Sequence, residues 1–74
     1  MKVKEGEVRL YTENDGRFRV NGNLQQFGGL TWIEVEWEEG SVAGFSEEDL
    51  LEIPIESVMT EEEWEKHKQE KQND

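Results

Sequence analysis

The sequence predicts a small, mainly β protein, in which residues 1–56 form a partly open barrel of about five strands and residues 57–74 form a C-terminal α-helix with a frayed tail. Three observations support this fold class. Apolar residues recur at every second position in the first part of the chain, which is the period of a strand with one buried face. Glycines and an Asn-Asp-Gly sequence separate these runs. Residues 57–74 contain no glycine and are rich in glutamate, lysine and glutamine, which favour helices.

The first two strands are predicted to form a hairpin. Residues 8–11 alternate as a strand does, and the Asn-Asp-Gly sequence at residues 14–16 is typical of a tight turn. The second strand covers residues 17–20, with Phe18 and Val20 expected to face the core. The next stretch, residues 21–29, contains three glycines and is expected to be an ordered loop or a bulged strand.

Residues 31–37 have the strongest strand pattern in the chain. One face carries Ile33, Val35 and Trp37, which we expect to be buried together. The other face is expected to meet water, and it carries Trp32, Glu34 and Glu36.

The second half of the predicted barrel is built from shorter elements. Residues 38–40, Glu-Glu-Gly, should turn the chain into a strand at residues 41–45. Residues 46–50 then resemble one capped helical turn of the 3₁₀ type. A last strand is expected at residues 51–53, ending at Pro54, which cannot donate a hydrogen bond to a neighbouring strand.

The C-terminal helix has a recognisable start. Thr60 and Glu63 have the spacing of a capping box, in which each side chain accepts a hydrogen bond from the other residue's backbone N–H. Trp64 is the one large apolar residue of this otherwise polar helix. It is expected either to dock the helix on the preceding domain or to be offered to a partner.

One segment of the chain resembles a known fold family. Residues 32–42 read Trp-Ile-Glu-Val-Glu-Trp-Glu-Glu-Gly-Ser-Val and are followed by Phe45 and by Glu-Asp-Leu at residues 48–50. This order resembles the second half of SH3-like barrels of the Tudor and KOW kind, and residues 6–20 resemble the first half more loosely. The resemblance implies a barrel, which many unrelated functions share.

The resemblance to Tudor-type barrels also implies a possible aromatic cage for a cationic side chain. Such a cage would here combine Trp32 with Tyr11 and Phe45. In the alternative arrangement, Tyr11 and Trp32 form a cross-strand pair that packs on arginine stems, and Phe45 belongs to the core. The arginines concerned are Arg9, Arg17 and Arg19.

The residues give no indication of catalysis, so we expect neither an enzyme nor a cofactor. The chain has no cysteine, and its one histidine, His67, lies in the charged helix. Glu63 and His67 are spaced as two residues of one helix face, but two ligands do not make a metal site. The many carboxylates are expected to be solvated.

Charge points to the class of partner. With 19 acidic and eight basic residues, the chain has a net charge of −11, which favours a basic protein surface and disfavours phosphate. We therefore expect a small binding module, a bacterial or phage accessory protein of the cytoplasm, monomeric or weakly dimeric, with no membrane partner. The expected partner-binding residues are Tyr11, Trp32, Glu34, Glu36, Phe45 and Trp64.

Two other functions are compatible with the same sequence. A compact body of this charge can mimic a nucleic acid and occupy the site of a nucleic-acid enzyme. Direct binding of nucleic acid, as in KOW-type barrels, would require the basic residues of the first half to lie on one face. Those residues are Lys2, Lys4, Arg9, Arg17 and Arg19.

Overall fold

A computed structural model describes residues 2–72 as a five-stranded antiparallel sheet with two helices. The elements are β1 (Glu7–Tyr11), β2 (Gly16–Phe27), β3 (Leu30–Trp37), β4 (Val42–Phe45), α1 (Glu47–Glu52), β5 (Ile55–Val58) and α2 (Glu61–Gln72). The predicted mainly β class with a C-terminal helix is confirmed. Asn73 and Asp74, at the end of the predicted frayed tail, lie outside the described residues.

The strands follow the order β4-β3-β2-β1-β5, so that the first and last strands are neighbours. The predicted β1–β2 hairpin is confirmed, with Val8 opposite Arg19. In its turn, the Asn14 Oδ1 atom accepts a hydrogen bond of 2.8 Å from the Gly16 backbone N–H, and Asp15 has a φ of 55°. A short acidic side chain tolerates this left-handed conformation, which explains the Asn-Asp-Gly sequence.

Residues 21–29 belong to a long hairpin between β2 and β3. The register of this strand pair shifts between Val20 and Leu24, so the bulged strand is the correct one of the two predicted alternatives. At the tip, Gly28 and Gly29 have φ values of 62° and 78°, as a two-residue turn between twisted strands requires. β1 pairs with β2 only up to Arg19, and β4 pairs with β3 only from Ile33 onwards. Residues 23–32, which we call the hairpin arm, therefore extend beyond the rest of the sheet.

The main core lies on one face of the sheet, where strand residues two apart meet the N-terminal segment and α1. Its fully buried members are Phe18, Val20, Ile33, Val35 and Leu50, together with Val3. Trp37 packs against this cluster, so the predicted inward set of β3 is confirmed. Each of these side chains contributes about 1.5–3 kcal/mol when fully buried.

A buried arginine crosses this core face. Arg9 of β1 is only 3% exposed, and its Nε and Nη2 atoms donate to the Glu7 carboxylate at 3.1 and 2.7 Å. Its Nη1 atom donates to the backbone carbonyls of Leu50, at 2.7 Å, and Ile53. These carbonyls lie at the end of α1, where the Leu50 carbonyl also accepts from the Ile53 N–H at 3.0 Å and side chains complete the hydrogen bonding of the helix end. Arg9 therefore ties β1 to the segment that leads into β5.

The segment around Pro54 differs from the prediction. Residues 46–50 do begin a capped helix, in which the Ser46 hydroxyl accepts from the Asp49 N–H, but the helix is α rather than 3₁₀ and continues to Glu52. The predicted strand at residues 51–53 is therefore wrong, and the last strand follows Pro54 instead of preceding it. The Leu-Leu-Glu sequence suits a helix as well as a strand, and the proline begins an edge strand where its missing N–H is tolerated.

The second helix covers part of the opposite sheet face. Trp64 is 1% exposed, and its Nε1 atom donates to Glu36 at 2.9 Å, so the docking alternative is confirmed. The Lys68 Nζ atom lies 2.9 Å from the same carboxylate, and the His67 Nε2 atom lies 2.6 Å from Glu38. The prediction that this strand face is open to water is thus wrong at Glu36. The alternation of apolar and polar residues along the strand predicts which side chains point away from the core. It does not predict which other element covers those side chains.

The predicted capping box begins this helix. The Thr60 backbone N–H donates to Glu63 at 3.0 Å, and the Glu63 N–H donates to the Thr60 hydroxyl at 3.1 Å. The hydrogen bond from the Thr60 backbone N–H to the Glu63 carboxylate lowers the pKa of that carboxyl, and the Thr60 hydroxyl beside the carboxylate lowers it further. The cap fixes where the helix starts and so places Trp64 one turn later over Glu36.

Replacing Arg9 with methionine is expected to lower the free energy of unfolding by about 3–5 kcal/mol, because Glu7 would keep a buried charge without a partner. The double variant Glu7→Gln/Arg9→Met should recover part of this loss, since it removes both charges. Urea unfolding followed by circular dichroism measures both variants. A loss below about 1 kcal/mol for Arg9→Met would contradict the assigned role.

Replacing Trp64 with alanine is expected to destabilise the docked state of α2 by about 3–5 kcal/mol, because the helix has no other fully buried apolar side chain. Backbone amide exchange should then become fast in α2 and stay slow in β2 and β3. The control is Glu62→Gln, an exposed change in the same helix, which should alter exchange little. Unchanged protection of α2 in the alanine variant would contradict the docking role.

Candidate binding site

The structure separates the predicted site residues into two groups on opposite faces of the sheet. Tyr11 and Phe45 lie on the core face, whereas Trp32, Glu34 and Glu36 lie on the other. The expected cage of Trp32 with Tyr11 and Phe45 is therefore wrong. The alternative Tyr11–Trp32 pair is also wrong, because β1 pairs with β2 and β5 and not with β3.

Tyr11 and Phe45 instead belong to an aromatic cluster at the end of the core. The Tyr11 ring centroid lies 5.8 Å from that of Trp37 and 6.1 Å from that of Phe45. Phe45 stacks on Phe18 at 5.2 Å. Phe45 is thus part of the packed interior on one side, as the alternative prediction expected. The stacking and edge contacts fix the ring positions at the surface.

A cleft of about 360 Å³ opens beside this cluster. It lies between the end of β1 and the segment from α1 to β5, which the β1–β5 pairing brings together. Its apolar and aromatic walls are Leu10, Tyr11, Phe45, Ile53 and Pro54, and its polar residues are Thr12, Glu13, Asp49 and Glu52. Three carboxylates therefore border an aromatic and apolar surface.

The negative charge beside the cleft affects the hydroxyl group of Tyr11. Its hydroxyl donates a hydrogen bond of 2.9 Å to the Glu13 carboxylate. This hydrogen bond and the charge of Glu13 raise the pKa of Tyr11, with smaller contributions from burial and from the charge of Asp49. The phenol remains protonated at neutral pH. A cleft of this kind can hold a cationic group with apolar neighbours.

Sequence reasoning found two residues of this cleft and missed the others. Glu13, Asp49 and Glu52 read as members of ordinary acidic runs, because the chain is rich in carboxylates. The signal that singles them out is topological: a strand after Pro54 that pairs with β1 places α1 beside Tyr11. The incorrect strand at residues 51–53 concealed this signal.

The remaining predicted site residues lie on the opposite face of the sheet, where each forms hydrogen bonds within the chain. Glu36 and Trp64 bind each other within the chain and are not free for a partner. Glu34 accepts hydrogen bonds from Asn23, at 2.8 Å, and Asn21, at 2.9 Å, which lower the pKa of its carboxyl. Trp32 is half-buried, and its Nε1 atom donates to the Phe27 carbonyl across the hairpin arm at 3.1 Å.

All three arginines of the chain form hydrogen bonds or ion pairs within the fold. Arg9 lies on the core face, as described above. On the other face, the Arg19 Nε atom donates to the Met59 carbonyl at 2.9 Å, and Arg17 forms an ion pair with Glu56. The arginines therefore do not gather into one basic surface.

No family model matches the sequence, and the chain has no significant match among curated proteins or solved structures. Among the described residues, neither helix is long and apolar enough to cross a membrane. What the fold and the cleft define is a small, mainly β domain with an acidic aromatic cleft and a docked C-terminal helix.

The elevated pKa of Tyr11 can be tested directly, because Tyr11 is the only tyrosine of the chain. Replacing Glu13 with glutamine is expected to lower the pKa of the phenol toward its ordinary value, since the charge of the hydrogen-bond acceptor is removed. Absorbance of the tyrosinate during alkaline titration measures the change. Glu39→Gln serves as the control, and an equal shift in both variants would contradict the local effect of Glu13.

Proposed function

We propose that this protein is a small non-catalytic binding module that holds a basic segment of another protein in the cleft beside Tyr11. The observation that carries the proposal is the composition of the cleft, in which Glu13, Asp49 and Glu52 surround aromatic and apolar walls. This combination is suited to an arginine or lysine side chain next to apolar residues.

The proposed fold type is an SH3-like barrel of the Tudor and KOW kind. A four-stranded meander, a fifth strand that returns to pair with β1, a bulged second strand and a short helix before the last strand support it. The fold type alone does not imply a ligand. The function is therefore argued from the cleft.

The cleft can bind a cation through two kinds of interaction, one with an aromatic ring and one with a carboxylate. The face of an aromatic ring attracts a cation by about 0.5–2 kcal/mol, depending on how far the cation is desolvated. A carboxylate beside the ring adds a charge-assisted hydrogen bond, which is shorter and stronger than a neutral one. Tyr11 and Glu13 provide this pair, and Asp49 supplies a second carboxylate close by. The wall of Ile53 and Pro54 would contact the apolar stem of the bound side chain.

The charge of the whole chain supports a basic partner. The net charge of −11 attracts basic surfaces over distances longer than a contact and raises the association rate. Because Arg9 and Arg19 are buried and Arg17 is paired with Glu56 at the surface, the arginines offer little uncompensated positive charge to the outside. Direct nucleic-acid binding would need these arginines on one surface, and it is the less favoured function for that reason.

Mimicry of a nucleic acid remains a second proposal, favoured by the density of carboxylates in α1 and α2. It differs from the cleft proposal in the place where the partner binds. A mimic uses the overall charge, so its binding depends on total charge rather than on three particular carboxylates. We keep the cytoplasmic location and a bacterial or phage origin as predictions from the sequence.

The test compares two triple variants that remove the same charge. Glu13→Gln/Asp49→Asn/Glu52→Gln changes the cleft, and Glu61→Gln/Glu62→Gln/Glu70→Gln changes the exposed surface of α2. The probe is a short peptide of alternating arginine and proline, titrated into labelled protein and followed by amide shifts. The cleft variant is expected to bind about tenfold or more weakly, which corresponds to about 1.4 kcal/mol, and the α2 variant is expected to bind as the unmodified protein does.

Two outcomes would overturn the cleft proposal. An equal loss in both triple variants would assign the binding to total charge, as mimicry requires. Shifts that map away from Tyr11, Phe45 and Ile53 would place the site elsewhere. A second peptide with citrulline in place of arginine keeps the shape and removes the charge, and it should not bind to the cleft.

A further inference from the structure

The hairpin arm differs from the rest of the chain in its charge. Between Arg19 and Glu34 the sequence contains no charged residue, although 36% of the whole chain is charged. The arm lies entirely within this uncharged stretch. Its side chains are instead apolar or carry neutral amides and hydroxyls, as in Leu24, Gln25 and Thr31. A surface without charge is unusual in a protein with a net charge of −11.

The apolar side chains of the arm are open to solvent. Phe27 is 78% exposed, Leu30 is 55% exposed and Leu24 is 52% exposed. Phe27 and Leu30 are direct partners across the hairpin and lie on the same face as Trp32. An isolated two-stranded hairpin is at best marginally stable in water. Leu24 pairs with Ile33 and lies on the opposite face, so the arm exposes apolar side chains on both of its faces, as a segment that another chain contacts does.

Both edges of the arm are free among the described residues. No strand pairs with β2 beyond Leu24 except β3, and none pairs with β3 before Ile33 except β2. Alternate residues of each arm strand therefore direct their backbone N–H and C=O groups away from the hairpin. Such groups form the template for another strand.

The two outer strands of the sheet are protected against pairing, whereas the arm is not. β4 is only four residues long, and the acidic helix α1 follows it directly. β5 is also four residues long, follows Pro54 and contains the charged Glu56. Short length, charge and proline are the means by which proteins prevent edge pairing. The arm has no proline and no charge.

We propose that the hairpin arm pairs with the arm of a second copy of this chain, side by side and antiparallel, about a twofold axis. The two arms would form one continuous sheet. In this arrangement the free edges of β2 meet over residues 23–27, with Leu24 of one copy opposite Gln26 of the other, as a self-complementary interface requires. Phe27, Leu30 and Trp32 of both copies then lie on one face of the joint sheet.

Charge is the reason for choosing a second copy as the occupant. Two chains of −11 repel each other wherever their bodies meet, and the arm is the surface on which they can touch without opposing carboxylates. Antiparallel arms also place the two bodies at opposite ends of the joint sheet. Five residues of extended strand span roughly 17 Å, which exceeds the screening length of about 8 Å at physiological salt. Repulsion between the bodies is therefore small in this dimer.

Sedimentation equilibrium over a range of protein concentrations tests the dimer. The unmodified protein is expected to dimerise, and the variants Leu24→Glu and Gln25→Glu are expected to dimerise at least tenfold more weakly, because each places two like charges close together across the paired strands. The control is Val58→Glu, which adds the same charge at a residue that is 68% exposed and outside the arm. Circular dichroism shows whether each variant remains folded. A monomeric unmodified protein, or an equal effect of all three variants, would overturn the proposal.

Salt separates this association from the binding of a basic peptide. Raising the salt from about 0.05 M to about 0.5 M screens the repulsion between like-charged copies, so the dimer is expected to become tighter. Peptide binding in the cleft is expected to become weaker over the same range, since it depends on attraction. A dimer that dissociates with added salt would contradict the uncharged interface.

Disulfide cross-linking tests the geometry, because the chain has no cysteine of its own. Gln25→Cys places one thiol at the centre of the paired β2 strands, opposite its own copy, and mild oxidation is expected to convert most of the protein to a covalent dimer. Lys66→Cys places one thiol on α2 and should remain mostly monomeric. Equal cross-linking of the two variants would show random collision and would overturn the antiparallel arm pairing.

Discussion

The buried hydrogen bonds of Arg9 are the constraint on which the cleft depends. Arg9 and Tyr11 point to the same side of β1, and the Arg9 guanidinium holds the carbonyls of Leu50 and Ile53. The end of α1 is thereby fixed beside β1, which places Ile53 and Pro54 opposite the Tyr11 ring. A lysine has one donor group at the end of its chain and would not hold the two carbonyls and the Glu7 carboxylate in this fork. One side chain thus sets both the path of the chain and the width of the cleft.

The hydrogen bonds and ion pairs of the basic residues within the fold link its stability to the charge of its surface. Arg9 and Arg19 donate to carbonyls and carboxylates that the fold brings inside or half inside, and Arg17 forms an ion pair with the exposed Glu56. Lys68 is 8% exposed and likewise forms an ion pair with Glu36. The carboxylates that remain at the surface then have few basic neighbours. The fold consequently presents a more uniformly acidic surface than the composition alone suggests.

Patterns among residues close in sequence predicted most of the fold. The features that were not predicted depend on pairing between strands far apart in the sequence. The alternation around Ile33 and Val35 and the box at Thr60 each depend on residues close in sequence, and both were predicted correctly. The position of α1 was harder to predict, because the Leu-Leu-Glu sequence before Ile53 suits a helix and a strand equally well. The cleft and the neighbours of Trp32 depend on which strands pair, and strand order is not encoded in any short segment.

The cleft is assembled from segments that lie far apart in the sequence, since the hydrogen bond from Arg9 to Ile53 spans 44 residues. One wall belongs to the first strand and the other to the passage between α1 and the last strand. A nascent chain on the ribosome therefore carries its first strand for most of its synthesis without the neighbour that completes the sheet. The cleft is complete only when residues up to Val58 have emerged, so shorter nascent chains lack one of its walls.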